Sequence, residues 1–594
     1  MCGIVGAINW GDSARLAEMN AALVHRGPDD LGLWETRRPD GAFVGLGSRR
    51  LAILDLSPAG HMPMTTPDGR FTITYNGEVY NYPALRRDLE ARGYRFRSRG
   101  DTEAVLYLYQ EYGAESVRRL NGMFAFAIWD DERKELFLAR DHFGIKPLYY
   151  CHQGDRFACA SEVKALLGLP EMPRRLSLRA LDQYLTFLWV PDPLTLFDGI
   201  VKLPAGHSAR FRGGELELTR YWDYTFPPAD HEFKAGAAEL ANELRERFSD
   251  SVKSQLLSDV PLGSFLSAGL DSSSIVAMMR AAGARPIRTY TIAFPPKYRR
   301  GETTLDDTNV ARRTAAHFGC EHTEIVVEPD VVGLLPKLVY HMDEPVADPA
   351  IITAYLVNRE ARRDVTVLLS GVGGDELFAG YRKHAAYALA QTYQRIPAGL
   401  RRKVIEPLTL AMPAMRGTPI KGYVRLAKKM ARSGSLAPRD YFLMSSTYLT
   451  DAQKSALYTP ALRGRVNGHA AWSEHLDHFA RVSDADFLNQ MLYVDAKAFL
   501  VSLNLTYNDK MSMASSVEVR VPFLDWQLAE WVAWNVPPEL KLHNRTTKHI
   551  LREAMRPLLP AEVLGQKKAG FGAPADLWLA EDLREMVDDL LSET

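Results

Sequence analysis

Cysteine is scarce: Cys2, Cys151, Cys159 and Cys320 are the only four in 594 residues, and no Cys-x-x-Cys pair occurs. That excludes a disulfide scaffold and gives no sign of a structural zinc site. No apolar run approaches the roughly 20 residues that cross a bilayer. The N-terminus also lacks the basic-then-apolar pattern of a signal peptide. No membrane partner is expected, and the reducing cytoplasm is the expected compartment. An excess of one charge is missing too. The count is 72 Lys+Arg against 73 Asp+Glu, net −1, so bulk charge gives no reason to expect nucleic acid. Internal repeats and low-complexity segments are absent. What is present is a globular balance, 46% hydrophobic and 24% charged. The length suits about two to four domains.

Two characters divide the chain. Residues 1–220 read as β-rich, with short runs at Ile4–Ile8, Phe71–Tyr75, Phe124–Trp129 and Glu135–Ala139. A helical pattern interrupts at Asp101–Tyr112. The expectation is stacked antiparallel sheets with packed helices. A linker is placed at 221–235, around Pro227-Pro228-Ala229-Asp230. Leu240, Leu244, Phe248, Val252 and Leu256 then recur every four residues, an amphipathic helix. Strands at Pro261–Leu266, Arg288–Phe294, Thr323–Val327 and Val365–Leu369 alternate with helices at Ser272–Ala282 and Asn309–Phe318. Such alternation predicts a parallel α/β sheet within residues 236–594, followed by a mostly helical region over 380–560.

Cys2 follows the initiator Met. Its small side chain permits Met removal, leaving an α-amine with an ordinary pKa of about 7.7–8.0 as base for its own thiol. The sequence Met-Cys-Gly-Ile-Val-Gly is followed by His25-Arg26-Gly27-Pro28-Asp29-Asp30, then Arg49-Arg50-Leu51-Ala52-Ile53-Leu54-Asp55. Tyr75-Asn76-Gly77-Glu78-Val79-Tyr80-Asn81 and Gly100-Asp101-Thr102-Glu103 complete the set. This ordered series resembles the glutaminase domain of class II, N-terminal-nucleophile glutamine amidotransferases. The resemblance implies a thioester at Cys2 and an oxyanion held by the Asn76 side chain and the Gly77 N–H. It implies glutamine binding by Arg50, Leu51, Ala52, Ile53, Leu54, Asn76, Gly77, Glu78 and Asp101. In it Arg50 takes the α-carboxylate, and Glu78 and Asp101 the α-ammonium. Taken alone, Arg50 reads equally as a surface charge and Asp101 as a helix N-cap.

Phe265-Leu266-Ser267-Ala268-Gly269-Leu270-Asp271-Ser272 joins a predicted strand to a predicted helix. Small residues there let backbone N–H groups face a phosphate. No GxxxxGK[ST] loop occurs. The segment resembles the Ser-Gly-Gly-x-Asp-Ser loop of pyrophosphate-releasing adenylating enzymes. Ala268 departs from that pattern, so its φ must stay negative. A second loop, Ser370-Gly371-Val372-Gly373-Gly374-Asp375-Glu376, resembles the matching loop of glutamine-dependent asparagine synthetases. Asp343-Glu344-Pro345, Glu518-Val519-Arg520-Val521-Pro522 and Lys567-Lys568-Ala569-Gly570-Phe571 extend the resemblance over nearly the whole chain.

The resemblance implies ATP binding by Phe265, Ser267, Gly269, Asp271, Ser272, Ile292, Ser370 and Gly371. It implies Mg²⁺ held by Asp271 and Asp375, and a catalytic Lys568. Val372 departs from relatives that carry an acidic residue there. The implied reaction converts aspartate, glutamine, ATP and water to asparagine, glutamate, AMP and pyrophosphate through an acyl-adenylate, with ammonia passing between two sites by an enclosed route. A different carboxylate acceptor, a sugar acid or a natural-product precursor, stays open. So does a homodimer.

Overall fold

The computed structural model describes residues 1–594 except 39, 296–307, 328–329, 414–423, 425–426, 429–430, 432, 467, 567–572, 574–577, 580–582 and 593–594. Strand alternation decides the N-terminal architecture. Along β1 (Cys2–Ile8), Val5 and Ala7 join Leu16 and Met19 of the helix Ser13–Ala21. Ile4 and Ile8 face the other way, onto Ala125, Ala127 and Trp129. A period of two therefore buries both faces of one strand.

β1 lies in a six-stranded antiparallel sheet with β2 (Asp30–Arg37), β3 (Phe43–Arg50), β8 (Tyr149–Gln153), β9 (Arg156–Ala160) and β10 (Ile200–Lys202). A second sheet combines β4 (Met64–Thr65), β5 (Phe71–Val79), β6 (Gly122–Asp130), β7 (Glu135–Arg140), β11 (His207–Arg212) and β12 (Glu215–Arg220). Apolar residues of both sheets share one inner cluster. The helix Thr102–Tyr112 covers the far face of the second sheet through Val105, Leu106 and Tyr109. The result is helix, sheet, sheet, helix.

Beyond this sandwich, Tyr224 and Phe226 are buried in the large cluster that also takes Leu240, Leu244, Phe248 and Val252 of the helix Ala237–Ser254. Phe248 stacks on Phe523 with ring centroids 4.3 Å apart. The expected parallel sheet follows: β13 (Leu262–Phe265), β14 (Arg288–Ala293), β15 (Glu321–Val326) and β16 (Val367–Leu369). A fifth strand, β17 (Glu518–Arg520), pairs parallel to β16. Its charged triplet has no apolar signature, so strand patterning did not reveal it. The order β15-β14-β13-β16-β17 places neighbours on opposite sides of β13. A crevice must open at the carboxyl ends of β13 and β16, where the crossovers diverge. The helices Arg382–Gln394, Phe487–Val494, Leu505–Met513 and Trp526–Asn535 are among those of the later chain. Among the described residues no helix is long and apolar enough to cross a membrane.

Lys541 gives this core a pH dependence. Its ammonium is fully buried, donates to Asn489 Oδ1 at 2.9 Å and stands over the Phe226 ring. Burial pushes its pKa down from 10.5 to about 7. The unfolded chain then binds more protons than the folded one between pH 7 and 10.5, so this residue raises stability as pH climbs through that window. Its contribution to the urea-unfolding free energy is expected to rise by at most about 1.4 kcal/mol per pH unit. Lys541→Met should flatten the slope; an unchanged slope would exclude Lys541 as its source.

Candidate active sites

Two concave sites emerge, one in each half. The first is lined by Met1, Cys2, Arg50, Leu51, Ile53, Leu54, Gly77, Glu78, Tyr75 and Asp101, among others. Pairing of β1 with β3 sets Cys2 opposite Arg50, and β5 brings in Asn76, Gly77 and Glu78. The Cys2 N–H donates to Asn76 Oδ1 at 2.9 Å. Asn76 Nδ2 is buried with no hydrogen-bond acceptor among the described residues. A buried, unsatisfied amide donor costs stability, and here it belongs to the side chain bonded to the cysteine backbone. Ala52 does not line this pocket; its N–H donates to Asp29.

Arg50 is turned partly onto the backbone, donating from Nη2 to Leu54 O at 3.1 Å and Asp55 O at 2.6 Å. Asp101 precedes the helix Thr102–Tyr112, but its carboxylate does not cap it. It accepts instead from Tyr75 Oη at 2.6 Å and Val79 N at 2.9 Å. Burial pushes the Glu78 carboxyl well above its usual range, with Glu518 and Asp101 adding to the effect. Burial also raises Asp101. A pocket holding such crowded acids favours a cation. Met1 supplies one: its ammonium lies 3.3 Å from Glu518 Oε2 and donates to Leu51 O.

The second site is a cavity of about 520 Å³ at the crevice between β13 and β16. Phe265, Ser267, Gly269, Asp271, Ser272, Ile292, Ser370, Gly371 and Asp375 all line it. The loop after β13 is held by its own hydroxyls: Ser267 N–H donates to Ser272 Oγ at 3.0 Å, and Gly269 N–H to Ser267 Oγ at 3.1 Å. Ala268 keeps a negative φ, so its methyl group is accommodated. Gly371 lets the two loops touch, since a Cβ there would come within 2.8 Å of Asp271 Cβ.

Asp271 and Asp375 are brought together from the two loops, and the ammonium of Lys548 bridges them. Their carboxylates suit Mg²⁺, which takes one or two carboxylates together with substrate phosphates. Sequence reasoning singled out both aspartates and missed Lys548. Its only sequence signal is a lone lysine before the helix His549–Met555, and nothing in that pattern points at loops more than 170 residues earlier. Lys568 lies outside the described residues.

β17 lines neither pocket but contacts residues of both. The Ser370 N–H donates to Arg520 O at 2.8 Å. The Arg520 guanidinium binds Glu518 at 2.5 Å and reaches within 3.7 Å of Glu78 Oε1. Glu518 in turn meets the Met1 ammonium. Burial opposes charge on this pair, yet Arg520 holds Glu518 below its usual range.

The chain matches the family model described as Asparagine synthase over residues 243–594 and that of the Glutamine amidotransferase domain over residues 1–222. It is 36% identical over 606 residues to glutamine-hydrolyzing asparagine synthetase 1 of Bacillus subtilis, covering 100% of this chain and 90% of that one. Similarity to glutamine-hydrolyzing asparagine synthetase 3 of the same organism is 32% over 589 residues, covering 96% and 87%. Amidase chry2 of Gibberella zeae is 29% identical over 646 residues, covering 100% and 92%.

Cys2 chemistry depends on Met1. With Met1 present, Cys2 is buried and burial raises its thiol pKa above 9.0, which leaves little thiolate at neutral pH. Iodoacetamide labelling followed by peptide mass spectrometry should find the label concentrated, by about tenfold or more, on chains that begin at Cys2. Equal labelling of chains that retain Met1 would show that Met1 does not shield the thiol.

Proposed function

Since this chain belongs to the asparagine synthase family and carries an N-terminal glutamine amidotransferase domain, we propose that it transfers the amide nitrogen of glutamine to aspartate at the expense of ATP. The observation that carries the reading is the sharing of β17: one short strand contacts the cysteine pocket through Glu518 and Arg520 and the cavity loop through Ser370.

In the first site the Cys2 thiolate attacks the side-chain carbonyl of glutamine. Asn76 Nδ2 and the Gly77 N–H take the developing oxyanion. The Cys2 α-amine, freed by Met1 removal, accepts the thiol proton and returns it to the leaving ammonia. Water then cleaves the thioester and glutamate departs. Glu78 and Asp101 hold the substrate α-ammonium, a role supported by the Met1 ammonium, which pairs with neighbouring Glu518 and lies near enough to act on both carboxyls. Arg50 receives the α-carboxylate.

In the second site the acceptor carboxylate attacks the α-phosphorus of ATP, and pyrophosphate leaves. Ammonia displaces AMP from the resulting acyl-adenylate. The Ser267–Ser272 loop and Ser370-Gly371 bind the nucleotide, Ile292 lies along its base, and Lys568 offsets charge on the α-phosphate. Asp271 and Asp375 would hold Mg²⁺, which draws negative charge off the phosphates when bound. Free ammonia would protonate in bulk water, and the buried β17 junction supports enclosed transfer between the sites.

A second reading rests on the cavity wall. Val372 lines it where an acid would assist adenylation. Among the described lining residues the cations are Lys548 and Arg552. Lys548 is engaged by Asp271 and Asp375, and Arg552 donates to the carbonyls of Thr547, Leu564 and Gln566. A clamp for the α-carboxylate of aspartate is not evident in that set, which favours an acceptor with a single carboxylate.

An assay following asparagine, AMP and pyrophosphate with ATP, Mg²⁺ and glutamine, with and without aspartate, separates the two. Aspartate-dependent asparagine equal to AMP is expected; glutamate formation without aspartate-dependent AMP would move the acceptor to another carboxylate. Cys2→Ala should cut glutamine-dependent product by about 10³-fold or more while sparing ammonia-dependent product. Asn76→Ala should cost about 10²–10³-fold in glutaminase kcat. Asp271→Asn should eliminate AMP and pyrophosphate and leave most glutaminase activity; normal pyrophosphate release would remove Asp271 from the second site.

A further inference from the structure

Away from the phosphate loops, three polar side chains line the 520 Å³ cavity with few or no partners among the described residues. Asp348 comes from the turn before the helix Ala350–Ala361, and Tyr507 and Asn508 come from the helix Leu505–Met513. Those two helices pack together. Tyr507 and Val346, two residues before Asp348, also rest on one apolar cluster. The Ala350 N–H donates to Asp348 Oδ1 at 2.9 Å, and no other hydrogen bond or ion pair reaches that carboxylate among the described residues. The Tyr507 hydroxyl and the Asn508 amide have no hydrogen-bond partner among them at all, although Asn508 is only 8% exposed. Polar groups inside a protein are ordinarily paired. A turn at a helix start accounts for one oxygen of Asp348, but not for three groups facing one space.

Charge behind the wall fixes their positions. Asp509, next to Asn508, is held by Arg26 at 2.8 Å and by Lys146 at 3.3 Å. Lys510 meets Asp343 at 2.6 Å, which ties the segment leading to Asp348 onto the same helix. Buried pairs of this kind resist breaking, so the wall is organised before a ligand arrives. Burial with no cation beside it pushes the Asp348 carboxyl above its usual range, and an incoming cation relieves that cost. The complementary ligand carries an ammonium and a carboxylate close together, as an α-amino acid does. Its own ammonium balances its carboxylate, so neutral donors suffice. The engagement of Lys548 and Arg552 elsewhere is then no obstacle.

Resting on the adenylate-forming reading above, we propose that Asp348, Tyr507 and Asn508 form the acceptor subsite and restrict it to amino acids. Asp348 takes the acceptor's ammonium. The Asn508 amide and the Tyr507 hydroxyl donate to its α-carboxylate, which leaves the side-chain carboxylate to reach ATP. A sugar acid or any other amine-free carboxylate leaves Asp348 desolvated and unpaired, a strong ground for rejection.

The test uses the full chain with ATP, Mg²⁺ and ammonium chloride and reads pyrophosphate release. The acceptors are aspartate, succinate, which lacks the amine, and β-alanine, which lacks the α-carboxylate. Wild type should prefer aspartate over either analogue by about ten- to a hundredfold or more in kcat/KM. Asp348→Asn, which can keep the bond to the Ala350 N–H, should lose most of the preference over succinate through a raised KM for aspartate, and keep that over β-alanine. Asn508→Leu should do the reverse. In neither should KM for ATP move by more than about twofold. Thermal unfolding checks the fold, and if one variant does not fold the other decides. The subsite is overturned by an unchanged KM for aspartate in Asp348→Asn, or by a wild type that uses succinate as well as aspartate. A raised KM for ATP in its place overturns it too, since Asp348 would then serve the ribose. Wild-type release with glutamate but not aspartate would overturn the aspartate reading alone, and glutarate then replaces succinate in the Asp348→Asn comparison. No release with any of these acids would overturn the adenylate-forming reading and the subsite together.

Discussion

The buried Glu518–Arg520 pair is the constraint on which the rest depends. Both side chains are fully buried, and a charge removed from water must find partners or neutralise. Arg520 uses its planar fork to bind Glu518 at 2.5 Å, Gln255 O at 2.7 Å and Leu257 O at 2.6 Å, while facing Glu78. The pair therefore sets how the cysteine pocket lies against the parallel sheet, and through the Ser370–Arg520 backbone bond it sets the cavity loop as well.

A second layer of buried charge reinforces that docking. Arg26, from the segment before β2, reaches Glu162 and Asp509, each at 2.8 Å, and donates to Cys2 O. Asp343 receives Lys164 at 2.8 Å and Lys510 at 2.6 Å. Breaking one member of such a network strands the others in a poor solvent for ions. The halves are consequently expected to behave as one body rather than as beads on a tether. The transfer of a small, readily protonated nucleophile proposed above would need water kept out, and a rigid junction of this kind favours that.

Packing, by contrast, follows simple local rules. The four-residue spacing of Leu240, Leu244, Phe248 and Val252 buries one stripe of a helix. The two-residue period of β1 buries both of its faces because sheet and helix cover it from opposite sides. These patterns were legible in the sequence, and the predicted strands and helices fall within a few residues of those observed. β17 was not legible as a strand, because a buried Glu-Val-Arg triplet looks like a surface segment until its partners are known. Lys548 escaped for the same reason: its two carboxylates are distant in sequence.

Sequence by itself determined the fold class and the family, since periodicity and motif spacing are local properties of the chain. Tertiary structure alone decided that Asp101 bonds Tyr75 and Val79 rather than capping its helix, that the Ala52 N–H is taken by Asp29, and that one charged strand contacts residues of two sites. Those outcomes depend on burial and on contacts between segments far apart in sequence. Charge placement in a dry interior is set by the whole set of neighbours, which no local pattern records.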